Sequence, residues 1–253
     1  MSGSAAVSPV TVVTGASAGI GAAVAVRLAR AGHDLVLGYR RSREGAEKVA
    51  AEVAGVGRRA VCVPADVADD GAPDLLVEAA AGLGPLTGFV ANAGLTAHLA
   101  DLADTPVDVV RRVVEVNLIG ALLGLRRAAQ VMALSRGGAG GAIVAISSSS
   151  TATGSPHEYV HYAAAKAGIE VATLGLAREL ARDGVRVNCV APGLVDTGIH
   201  ADAGDPGRPT RMAPQIPMGR AAEADEIAAA VAWLLSDEAS YVTGATLRVT
   251  GGR

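Results

Sequence analysis

Val10-Thr11-Val12-Val13-Thr14-Gly15-Ala16-Ser17-Ala18-Gly19-Ile20-Gly21 is the stretch on which the reading of this chain turns. A β-branched run over 10–14 leads into closely spaced glycines, and a segment with helical apolar spacing, 20–31, follows. Glycines let a backbone turn sharply and come close to a ligand. The helix behind them offers unpaired N–H groups and the positive end of its dipole to a pyrophosphate. Ser17 adds a hydroxyl donor. The same glycines also suit a plain strand-to-helix turn, so the motif draws its weight from the strand before it and the helix after it.

Outward from this turn the chain repeats the same alternation. Short β-branched runs lie at 10–14, 35–39, 60–63, 88–91, 142–147, 185–190 and 246–249. Segments with helical spacing lie between them, at 20–31, 44–54, 73–82, 107–134, 159–182 and 224–235. Strands alternating with helices predict βαβ units and a parallel sheet. The strand runs are almost continuously apolar, as expected when helices cover both faces. Seven strands and six helices predict one doubly wound α/β sheet and a single domain over 1–253. Residues 1–8 are expected to form a tail. The least regular stretch, 192–217, is rich in Gly, Pro and Asp and follows the sixth strand. Ligands bind at that edge of such sheets, so 193–218 is expected to be a substrate loop or lid. The glycines of 137–141 read as a helix-to-strand turn.

Composition removes several function classes. Half of the 253 residues are hydrophobic, enough for a sizeable core, and the net charge is −3. A mildly acidic chain with 2% aromatic residues has neither the basic footprint nor the stacking surface expected of a nucleic-acid binder. No apolar run approaches the ~20 residues of a membrane span, and the N-terminus lacks a signal-peptide pattern. A soluble cytoplasmic protein is expected. Cys62 and Cys189 stand in apolar runs without metal-ligand spacing and read as buried small hydrophobes. No metal site is predicted.

The second strand ends Gly38-Tyr39-Arg40-Arg41. An acidic residue at this place takes the ribose 2′-OH of NAD. Tyr39 stands there instead, and the two arginines after it suit a 2′-phosphate. NADP is therefore expected over NAD. Asp34 lies too early in the strand for the ribose role. Asp66-Val67 and Asn92-Ala93-Gly94 follow the third and fourth strands and face the same crevice. Asp66 suits either an acceptor for an adenine amino group or a helix N-cap.

Tyr162 and Lys166 share one face of a helical segment at i, i+4. A phenol with a pKa of ~10 is a sluggish base near neutrality, and a neighbouring ammonium favours its ionised form. A serine hydroxyl beside them would hold a substrate oxygen. Asn117 is a polar residue inside a long apolar helical segment. Such a group needs a partner, and a water-mediated link to Lys166 would supply one.

With these residues in order, the chain resembles the single-domain short-chain dehydrogenase/reductase family. Thr14 to Gly21, the Ala91-Asn92-Ala93-Gly94 turn, Asn117, Ser147 to Ser150, Tyr162 with Lys166, and Ala191-Pro192-Gly193 match its motifs from 10 to 253. The resemblance is to 3-oxoacyl reductase-like and glucose dehydrogenase-like members. It implies a Rossmann-type fold, a homotetramer, and an Asn–Ser–Tyr–Lys catalytic set carried by Asn117, a serine, Tyr162 and Lys166. It also implies that Gly15, Ser17, Gly19, Ile20, Gly21, Tyr39, Arg40, Arg41, Asp66, Val67, Asn92, Ala93, Gly94, Tyr162 and Lys166 hold the cofactor. Pro192, Gly193, Val195 and Thr197 would line its nicotinamide. The family's paired asparagines read Ala91-Asn92 here. The serine is open between two counts. Spacing back from Tyr162 gives Ser149, and spacing forward from Ile146 gives Ser148, which is preferred.

The resulting expectation is an NADP(H)-dependent oxidoreductase acting on a small carbonyl or alcohol. The alternative is a non-catalytic NADP sensor or scaffold on the same fold, which retention of both Tyr162 and Lys166 disfavours. Epimerisation or dehydration would usually need a longer chain. Leu95 and His98 are candidates for the substrate cleft, and Met212, Ile216 and Met218 for an apolar lid. His157 and His161 read as polar positions near the helix start, Tyr159 lacks a lysine four residues on, and Trp233 reads as core or interface. Arg126, Arg127 and Arg136 are the basic residues available for a carrier-protein substrate.

Overall fold

The computed structural model describes residues 8–253; residues 1–7, most of the expected tail, lie outside the described residues. Seven strands form one parallel sheet in the order β3-β2-β1-β4-β5-β6-β7. They are β1 (Val10–Thr14), β2 (Asp34–Tyr39), β3 (Ala60–Pro64), β4 (Leu86–Ala91), β5 (Gly141–Ile146), β6 (Val185–Pro192) and β7 (Thr246–Val249). The helices are α1 (Gly19–Arg30), α2 (Arg43–Gly55), α3 (Ala72–Ala81), α4 (Val107–Val114), α5 (Ala121–Met132), α6 (Ser150–Thr153), α7 (Val160–Leu180), α8 (Ile199–Asp202), α9 (Arg208–Met212) and α10 (Ala224–Leu235). The chain runs outward from β1 to β3, then crosses back to place β4 beside β1. This reversal opens a crevice at the carboxyl ends of β1 and β4.

Strand alternation divides the core in two. Val12, Val36, Phe89, Ile143 and Val187 join Leu76, Leu125, Met132 and Ile169 on the α3–α5–α7 side. Their neighbours Val13, Leu37, Val90 and Val144, with Val190 further along β6, join Val24, Leu28, Val49, Ile227 and Val231 on the α1–α2–α10 side. The period of two thus feeds both faces, and both must be apolar.

Three local expectations need correction. The predicted helix over 107–134 is not uniformly α-helical: a π-helical turn, Glu115–Gly120, joins α4 to α5 and carries Asn117, and the helix ends at Met132. The edge strands β3 and β7 are only partly buried, because each has a neighbour on one side alone. Cys62, on β3, is accordingly half-buried, whereas Cys189, on β6, is buried. Among the described residues no helix is long and apolar enough to cross a membrane.

Candidate active site

The crevice opens into a cleft of about 780 Å³ that runs from Arg40 past the glycine turn to α7 and the segment carrying α8 and α9. Its floor is a clamp between two turns. The Thr14 hydroxyl accepts from the amides of Asn92 (3.0 Å) and Ala93 (2.9 Å). The Asn92 side-chain amide donates back to Thr14 O (2.8 Å) and Gly15 O (3.2 Å). Gly15 sits at φ +66°, and a Cβ there would come to 3.0 Å from the Ala93 Cα. A Cβ on Gly21 would meet Gly15 O at 2.2 Å. Only glycine fits either place, and the first turn of α1 is left open to the cleft. Sequence reading missed Thr14, although its place at the end of β1 was plain.

Gly15, Ser17, Gly19, Ile20, Gly21, Arg40, Arg41, Asp66, Val67, Asn92, Ala93, Gly94, Pro192, Gly193, Val195 and Thr197 all line this cleft. Tyr39 does not: it is 8% exposed and packs inside the end of β2, so the exposed arginines after it are what β2 offers. Asp34 is far off, at the opposite end of β2, paired with Arg58 and Arg59. Asp66 is neither free nor the N-cap of α3, which starts at Ala72. One oxygen accepts from the Ala68 amide (3.1 Å), the other from the Arg112 guanidinium (2.5 Å), and Arg40 lies 3.8 Å away. Partial burial opposes ionisation here, but the Ala68 amide and Arg112 outweigh it and hold the carboxyl below its ordinary value. Arg112 was not anticipated, because nothing in its sequence neighbourhood points to Asp66.

At the other end, Tyr162 and Lys166 are brought together on α7, with the ammonium 5.8 Å from the centre of the phenol ring. They are 8% and 4% exposed. Burial raises the Tyr162 pKa, while a hydrogen bond with Ser148 pulls it the other way. Burial pushes the Lys166 ammonium down to about 8. Its Nζ donates to Ile146 O (2.8 Å). Of the two candidate serines, Ser148 is the one against the phenol. Ser149 lines the cleft too, but its amide is drawn to Pro192 O (2.7 Å) and it opens the short α6. Ser147 points away and donates to Glu170 (2.8 Å), which Thr151 also contacts (2.8 Å).

Asn117 is buried and does not line the cleft. Its side chain accepts from the Leu95 amide (3.2 Å) and donates to Leu95 O (2.8 Å) and Val113 O (2.9 Å). It therefore pins the turn after β4 to the π-helical segment. A Cβ on Gly94 would stand 2.8 Å from Asn117 Oδ1 and 3.3 Å from Lys166 Nζ, so both groups converge on one spot.

The residues expected to form an apolar lid lie elsewhere. Met212, Ile216 and Met218 do not line the cleft; Ile216 and Met218 pack near Gly251 of the C-terminal segment instead. Ile199, His200, Asp202 and Arg208 face it. Leu95 does so as well, but His98 does not, and neither do Arg126, Arg127 and Arg136. His157 pairs with Asp101 at the surface (2.7 Å), and His161 is buried against Ala97 O (3.2 Å). Trp233 is partly exposed on α10.

A family model described as enoyl-(acyl carrier protein) reductase matches residues 15–253. The chain belongs to the short-chain dehydrogenase/reductase family. It is 40% identical to the uncharacterized oxidoreductase YgfF of Escherichia coli over 245 residues, 96% of this chain and 99% of that one. It is 40% identical to the L-rhamnose 1-dehydrogenase (NAD(P)(+)) of a Sphingomonas species over 242 residues, 95% of this chain and 94% of the other. A solved short-chain dehydrogenase from Burkholderia cenocepacia in complex with NADP superposes with a TM-score of 0.86 at 33% identity, covering 96% of each chain. The protein is thus an oxidoreductase of this family. The glycine cradle, the open first turn of α1 and the buried ammonium with a single acceptor among the described residues fit a nicotinamide dinucleotide in the cleft.

Proposed function

We propose that this family member is an NADP(H)-dependent oxidoreductase of small carbonyl or alcohol substrates, with Tyr162 as general acid and base. The observation that carries the reading is the convergence of half-buried Ser148 with buried Tyr162 and Lys166 at one end of a cleft whose other end holds the glycine cradle and two exposed arginines. The nicotinamide, when bound, accepts or supplies the hydride.

Around that transfer the chain handles the proton. In the reducing direction the Tyr162 phenol, kept protonated by burial, gives its proton to the substrate oxygen. In the oxidising direction it must take one, and the nearby Lys166 charge and the Ser148 hydroxyl both favour the phenolate. Ser148 also holds the substrate oxygen. Lys166 has donors left after its bond to Ile146 O and holds the cofactor ribose. Asn117 supports the site by fixing the Gly94–Leu95 turn. Arg40 and Arg41 take a 2′-phosphate, which supports NADP over NAD. Residues 193–218 serve as the substrate loop. Exposed apolar residues on adjoining helical segments, Ile119 on the π-helical turn, Leu122 on α5, and Leu174 and Val171 (72% exposed) on α7, support a homotetramer.

The test is oxidation and reduction of a panel of alcohols and ketones with NADP⁺ or NADPH, followed at 340 nm, with Tyr162→Phe beside the parent. Loss of the proton donor should lower kcat by ~10²- to 10⁴-fold while leaving NADPH affinity intact. A Tyr162→Phe protein that keeps full activity refutes the mechanism.

A further inference from the structure

Arg208 is the most deeply buried arginine lining the cleft, at 6% exposure, and sequence reading passed over it. It opens α9 and reaches back to the residues before α7. Its Nη2 donates to both oxygens of Glu158, each at 2.7 Å. Its guanidinium lies 5.5 Å from the centre of the Tyr159 ring. Tyr159 in turn meets Tyr162 edge-on, with ring centres 5.5 Å apart and planes at 85°. The pair therefore lies one aromatic ring away from the phenol at the reacting end.

Two features make this more than a strut. A guanidinium carries five N–H donors, and burying one without using them is costly. Glu158 engages only Nη2; Nε is fully buried and has no partner among the described residues. Glu158 itself is half-buried and also lines the cleft. Nη1, which makes no hydrogen bond among the described residues and is not fully buried, is left as a spare donor beside the Glu158 acceptor, and the charges of the pair cancel. An anionic group gains little from a cancelled pair, and the carboxylate of Asp202, which also lines the cleft, disfavours it further. A hydroxyl accepts from the guanidinium while donating to the carboxylate, and a neighbouring hydroxyl can do the converse. The Ser155 hydroxyl and His200 add polar groups on the same lining.

The geometry points to Arg208 and Glu158 as a joint subsite for the hydroxyl groups of an uncharged, polyhydroxylated small molecule, a sugar or polyol, remote from the carbon that reacts at Tyr162. This assignment rests on the oxidoreductase reading above for the position of the reacting carbon.

The experiment measures kcat and KM for NADP⁺-dependent oxidation of a set of aldoses and polyols, of cyclohexanol and of hydroxy acids. Calorimetric binding of the same compounds to the protein–NADP⁺ complex runs alongside. Arg208→Met and Glu158→Gln are compared with the parent; the second keeps size and hydrogen bonding and guards against simple misfolding. At least one sugar or polyol should be preferred over cyclohexanol. Each variant should lower the polyol-to-cyclohexanol ratio of kcat/KM at least tenfold, through KM rather than kcat. Equal losses on both substrates would make the pair merely structural and overturn the subsite. So would a parent that prefers cyclohexanol, or hydroxy acids held through Arg208 but not Glu158. No turnover of any compound, with polyol binding that still depends on Arg208, would sink the oxidoreductase reading and leave the subsite standing.

Discussion

Replacing Lys166 with methionine tests the electrostatics of the site without filling or emptying it. Burial pushes the Lys166 pKa from 10.5 down to about 8. One unit corresponds to ~1.36 kcal/mol, so the folded chain without cofactor disfavours the charged ammonium by about 3 kcal/mol relative to the unfolded chain. The sign follows from proton counts. Below pH 8 both states hold the proton, and the full penalty is present. As pH rises from about 8 to 10.5, the unfolded chain keeps a proton that the folded chain has released, so stability rises. Above 10.5 neither state is charged and the penalty is gone.

Methionine has no such dependence, and every other titrating group is common to both proteins. The bond to Ile146 O enters nearly equally at every pH, since a neutral amine still donates. The stability difference between Lys166→Met and the parent should therefore move by about 3 kcal/mol in the parent's favour between pH 7 and 10.5. That corresponds to ~6–12 °C in Tm at ~2–4 °C per kcal/mol. Scanning calorimetry of both cofactor-free proteins across this range measures it. Parallel Tm curves would show that the ammonium titrates normally, and the argument for a desolvated Lys166 would fall.

Two further outcomes follow from the same geometry. Arg40→Ala and Arg41→Ala should each lower kcat/KM for NADPH by ~10- to 100-fold, the worth of a charge-assisted hydrogen bond, and leave NADH nearly unaffected; equal losses with both cofactors would remove the 2′-phosphate assignment. Asn117→Ala deletes the three hydrogen bonds of a buried side chain and should cost about 3 kcal/mol at ~1 kcal/mol each; a denaturant midpoint unchanged within error would mean the turn after β4 stands without it.

What was legible in the sequence was local. The glycine turn, the strand that feeds it and the helix it opens are neighbours in the chain, and period-two alternation marked both faces of the sheet. The i, i+4 placement of Tyr162 and Lys166 was equally readable. Their surroundings were not. The π-helical turn at Glu115–Gly120 has no sequence period of its own. The choice between Ser148 and Ser149 depended on where the Ser149 amide goes after β5 ends, and it goes to Pro192 on a different strand. The apolar character of Met212, Ile216 and Met218 does not say which surface they face, and packing near Gly251 accounts for two of them.

The two arginines that sequence reading missed share one cause and one consequence. Arg112 meets Asp66 across 46 residues of chain, and Arg208 meets Glu158 across 50. Pairings at such separations are set by the sheet order and leave no local trace. Both neutralise an acidic side chain that lines the cleft, one near each end. With Arg112 on Asp66 and Arg208 on Glu158, the cationic lining of Arg40, Arg41 and Lys166 is less opposed, and Asp202 is exposed. On the proposed reading, a chain of net charge −3 would thus meet an anionic cofactor with a favourable lining, because the local balance of charge inside the cleft matters more than the total.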